Sequence, residues 1–72
     1  MKHIRVTFVE GNEGFVDGSK IVGAVPSMYE GKFNYTELIM DLPAKVVFKV
    51  LETPIEVLKL IDECERFNLN RR

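Results

Sequence analysis

The chain has 72 residues, with ten basic and eleven acidic side chains for a formal charge of −1, and it is 46% hydrophobic and 29% charged. At that size folding buries only about 60% of the surface the unfolded chain exposes, which provides for a single compact domain over residues 1–72 and leaves little for a deep catalytic cleft. The near-neutral balance offers no overall field toward nucleic acid or an anionic membrane, and the one cysteine, Cys64, excludes an intramolecular disulfide or a multi-thiolate zinc site.

From Lys2 to Val9 the residues alternate strictly, with Ile4, Val6 and Phe8 on one face and His3, Arg5 and Thr7 on the other. That is the pattern of a strand with one wet side. A signal peptide needs an apolar run of about 7–15 residues and a spanning helix about 20, and neither run is found, so a cytoplasmic protein without membrane insertion is expected. Glu10-Gly11-Asn12-Glu13-Gly14 then supplies glycines for a tight connection. Phe15-Val16 resumes the apolar pattern, Asp17-Gly18-Ser19 punctuates it, and Lys20 to Val25 reads as a strand limited by Pro26. Whether Phe15 to Val25 is one interrupted strand or two short ones stays open.

Glu30-Gly31-Lys32 marks a turn, after which Phe33 to Asp41 forms a strand with Thr36, Leu38 and Met40 on one face. Asp41-Leu42-Pro43 breaks the pattern. Lys45 to Glu52 is rich in β-branched and aromatic residues and is expected to lie centrally in the sheet. Thr53-Pro54-Ile55-Glu56 follows as a helix start, with a threonine cap, proline at the first helical position and a glutamate three residues past the cap. Steps of about 100° place Val57, Leu60, Ile61, Cys64 and Phe67 on one stripe, opposite Glu56, Lys59, Asp62, Glu63 and Arg66. The two terminal arginines suit the negative end of the helix dipole.

These elements predict an α+β fold, a small antiparallel twisted sheet of four or five strands with one C-terminal helix packed on it. The expected core is Ile4, Val6, Phe8, Ile21 or Val22, Val25, Leu38, Met40, Phe48, Val50, Val57, Leu60, Ile61 and Cys64.

Little here points to chemistry. His3 is the only histidine and falls on the wet side of a terminal strand, and Cys64 falls on the apolar helix stripe, where burial keeps a thiol inert. The acidic turn around Glu10, Asn12, Glu13 and Asp17 lacks the alternating carboxylate spacing of a calcium loop, and no phosphate-cradling glycine motif is present. No enzymatic activity, metal or cofactor is expected. Met28, Tyr29, Phe33 and Tyr35 gather around one turn, the residue types that populate interface centres, and are the candidate contacts to another protein. The bland alternative is a hairpin held by cross-strand aromatic pairs. Arg5, Lys45 and Lys49 would form a short positive stripe if their strands paired, a nucleic-acid-binding alternative that the neutral charge disfavours.

Three stretches resemble the FlbD/SwrD family, small proteins often encoded among flagellar genes: Ile4-Arg5-Val6-Thr7, Phe15-Val16-Asp17-Gly18-Ser19-Lys20-Ile21, and Val50 to Val57 running on to Ile61. The matched positions are mainly strand alternation and the capping box. Asp41-Leu42-Pro43-Ala44 replaces the family's Asn/Asp-Gly turn, and extra residues lie around Gly23 to Tyr35. The resemblance implies a strand-to-helix domain without catalytic residues. A small accessory or adaptor protein acting by protein–protein interaction on a larger complex, such as a flagellar motor or a host complex targeted by a phage, is therefore expected. A homodimer is an expectation for so short a chain.

Overall fold

The computed structural model describes residues 3–44 and 46–70, the segment 65–70 as backbone only. The expectations for Lys2, Lys45, Arg66, Phe67 and the two terminal arginines lie outside the described residues or side chains. The chain runs β1 (His3–Thr7), β2 (Glu13–Asp17), a 3-10 turn (Gly18–Lys20), β3 (Ile21–Tyr29), β4 (Lys32–Met40), β5 (Val46–Val50) and α1 (Pro54–Asn70). This is the expected α+β architecture, with the five strands divided between an antiparallel hairpin, β1–β2, and an antiparallel meander, β3–β4–β5.

The two sheets are stitched where regular pairing of β1 ends. Phe8 bridges Val50, the Leu51 N–H donates to the Thr7 carbonyl at 2.8 Å, and the Val9 N–H donates to the Lys49 carbonyl at 3.1 Å. β4 is thus the central strand of the meander, and β5, expected there from its apolar sequence, is its last strand, joined on its other side only to the end of β1. Gly11, at φ 102°, turns the β1–β2 connection as its N–H donates to the Phe8 carbonyl. The Phe8 ring then lies over Gly14, where an added Cβ would sit 2.6 Å from a ring carbon, so the absent side chain makes room for the aromatic.

The buried core is Ile4, Val6, Val16, Leu38, Met40, Val50 and Val57, with Phe8, Ile21, Ala24, Val46, Phe48, Leu60, Ile61 and Cys64 packed against it. Burial removes these side chains from water at roughly 1.5–3 kcal/mol for a fully buried large aliphatic. Helix α1 begins as the capping box dictates: the Thr53 N–H donates to Glu56 Oε1 at 3.0 Å and the Glu56 N–H donates to Thr53 Oγ1 at 3.2 Å. Its Val57 side lies over β1 and β3.

Two further details differ from the sequence reading, and a third that it left open is resolved. Phe15 to Val25 resolves into two strands, because Asp17 caps the 3-10 turn by accepting from Ser19. Pro26 does not end β3, which continues to Tyr29; β3 is an edge strand, where a missing ladder donor is tolerated. The register of β3 on β4 skips between Ile21 and Gly23, so Val22 is an extra, bulged residue and the alternation downstream is reversed. Ala24 consequently faces the core, whereas Val22 and Val25 are exposed and Ile21 takes the inner position.

Candidate protein-interaction surface

β5 pairs with β4 only from Thr36 to Met40. The remainder of the β3–β4 hairpin, residues 27–35, has no third strand among the described residues and forms a two-stranded arm. Its tip is a two-residue turn with both central residues at positive φ, Glu30 at 51° and Gly31 at 76°, the backbone that matches strand twist in tight hairpins. A second register skip leaves Asn34 opposite nothing, adding local twist between the arm and the sheet.

Cross-strand partners share a face, so Met28 and Phe33 lie together and Tyr29 lies beside Lys32. Met28, Tyr29 and Phe33 are 56%, 69% and 37% exposed. The first two β3 inner-face residues past Ala24 are Pro26 and Met28, both exposed, so the apolar face of the hairpin runs on after the core that covers it has ended. Tyr35, the fourth aromatic-tip candidate, stands apart at the base of the arm: it is half-buried, pairs with Ser27, and has the Lys49 ammonium 5.4 Å from its ring centroid.

Arg5 and Lys49, the described members of the alternative basic stripe, do not meet. Lys49 pairs in register with Glu37 and its carbonyl accepts from the Val9 N–H beyond the end of β1, while Arg5 lies within β1 opposite Phe15. Arg5 is ion-paired with Glu13, its Nε donating to the carboxylate at 2.8 Å. It lines an open hollow of about 460 Å³ between β1 and α1, where Glu13, Glu52, Glu56 and Glu63 outnumber Arg5 and Lys59. Two of these carboxylates have structural work: Glu52 accepts the Thr7 N–H at 2.9 and 3.1 Å, and Glu56 closes the helix cap, whose Thr53 hydrogen bonds hold its carboxyl below the usual range. His3 is exposed on β1, and Cys64 is half-buried with its thiol donating weakly toward the His3 carbonyl at 3.9 Å. Among the described residues no group of three or more His, Cys, Asp and Glu could hold a metal ion, and no helix is long and apolar enough to cross a membrane.

Sequence reasoning missed one surface. Val22 on β3 and Leu58 on α1 are each about two-thirds exposed and line a shallow apolar hollow. The available signal was the run Ile21 to Tyr29, nine residues without a charge. Comparison with protein families, with characterised proteins and with solved structures gives no match for this chain.

Proposed function

We propose that this is a non-catalytic accessory protein that engages another protein through the β3–β4 arm. The observation that carries the reading is the arm itself, which extends beyond the third strand and exposes Met28 and Phe33 on one face and Tyr29 on the other. An isolated two-stranded ribbon is marginal in water, so the arm adds little to folding while keeping large apolar side chains in solvent. Aromatic side chains, with only two side-chain torsions to fix, lose little entropy on contact and bury much area. The larger assembly suggested by the flagellar-family resemblance is one setting for such a partner. Nucleic acid is disfavoured as that partner because Arg5 is engaged by Glu13 in an acidic hollow and Lys49 is shared with Glu37 and Tyr35.

The test is affinity capture from the native cell extract by the wild-type chain and by Tyr29→Ser/Phe33→Ser, with captured proteins quantified by mass spectrometry. A specific partner should fall at least about tenfold with the double variant, as expected for hot-spot truncation, while thermal stability stays within about 0.5 kcal/mol. Equal capture by both chains would overturn the assignment. A parallel salt titration against single-stranded RNA and DNA should show no binding at low salt; binding that weakens steeply as salt rises would favour phosphate contacts instead.

A further inference from the structure

Strands of this chain with one side in water alternate. On β1 the buried Ile4 and Val6 are separated by the exposed His3 and Arg5, and the outer face of β4 and β5 carries the in-register Glu37 and Lys49. The arm departs from that pattern, because neither residues 25–29 of β3 nor residues 33–35 of β4 include a charged side chain. An antiparallel hairpin with one wet face ordinarily places polar residues there, whereas a strand covered on both faces reads as an uninterrupted uncharged run. The pairing puts Met28 and Phe33 on one face, in line with Pro26, and Tyr29 on the other, in line with Ser27 and Val25. Val25, Met28, Tyr29 and Phe33 are all exposed, so large apolar side chains stand in water on both sides of the ribbon. The charges of the arm, Glu30 and Lys32, lie at its turn.

We propose that the partner protein receives the arm in a slot, an apolar-walled cleft that packs on both faces at once and ends in a polar floor for Glu30 and Lys32. This rests on the arm being the contact surface and specifies the shape and chemistry of what receives it. A flat partner would cover Met28 and Phe33, or Tyr29 and Val25, but not both pairs, since side chains on opposite faces of a strand point apart. Face-to-face packing sets a covering layer about 10 Å from a sheet, so the two walls stand about 20 Å apart, backbone to backbone. The edges of the arm face the open sides of the slot, where water satisfies the backbone groups that no strand pairs.

Photocrosslinking in the native cell tests this, from p-benzoylphenylalanine placed at Met28 in one variant and at Tyr29 in another, with the joined peptides mapped by mass spectrometry. Both positions should be joined to the same protein through two different segments of its chain, one from each wall. Tyr29→Ser should lower the adduct from position 28 at least about tenfold, and Met28→Ser the adduct from position 29 by as much, because each face is gripped only while the other is. Both changes fall on exposed side chains and should leave the circular dichroism spectrum unchanged. An adduct from one position alone, or from both through a single segment, means docking on one face and overturns the slot while leaving the arm as the contact surface. Yields indifferent to the change on the opposite face overturn the slot in the same way. No adduct from either position overturns the slot and the arm reading together, and an adduct to a second copy of this chain overturns the slot as a feature of another protein.

Discussion

Thr53 and Glu56 decide where the strand-rich part of the chain gives way to helix, by satisfying each other's backbone N–H groups at the first turn. The Glu56 carboxyl is held below its ordinary value, first by the Thr53 N–H and then by the Thr53 side chain. Its folded pKa is therefore depressed, so the stabilisation is present above the unfolded carboxylate pKa, about 4.3, and is lost as pH falls through the folded value. Thr53→Ala should lower the melting temperature by about 4–8 °C at neutral pH, with a smaller deficit below the carboxylate range; a deficit independent of pH would contradict the reciprocal cap. This motif was fully legible because it is local in sequence. The Arg5–Glu13 pair was not, since it depends on hairpin register: Thr7 pairs with Glu13, which places Arg5 diagonally across from that glutamate. Read alone, Arg5 looked like a free cation.

At the scale of elements, strand β4 is held to the strand–helix junction by one buried contact, in which the fully buried Thr36 donates its hydroxyl proton to the Glu52 carbonyl at 2.6 Å. Thr36→Val keeps the shape but leaves that carbonyl without its partner, and should cost about 1–3 kcal/mol in chemical denaturation. A change below about 0.5 kcal/mol would mean that water replaces the hydroxyl freely. Strand existence and the inner face of β4 could be read from alternation. The bulges could not, because an extra residue leaves no mark in a run of mixed apolar residues such as Ile21 to Val25; this is why Val25 was expected inside and Ala24 was not. Pro26 misled for a related reason, being compatible with either a strand end or an edge strand. The arm needed two facts absent from the sequence: the length of β5 and its register on β4.

Across the whole molecule, the proposed arm contact would leave stability and function at opposite ends of the same hairpin. Leu38, fully buried where β3, β4 and β5 run side by side, belongs to the folding end. Leu38→Ala should cost about 2–5 kcal/mol, much of what a domain of this size has to lose, and a smaller loss would show that the core collapses around the deletion. Tyr29 belongs to the other end, where large side chains stay in solvent. The α+β class and most of the core were readable from the sequence because hydrophobic period and capping are local signals. The stitching of the two sheets through Phe8 and Val50 was not, because it joins residues distant in sequence. The most direct measurement is photocrosslinking in the native cell from p-benzoylphenylalanine placed at Tyr29, with Phe15 as a control of nearly equal exposure, 69% and 70%. The arm reading predicts a discrete adduct from position 29, with a mass increment other than that of a second copy, and none from position 15. The same adducts from both positions, or none from position 29, would contradict it.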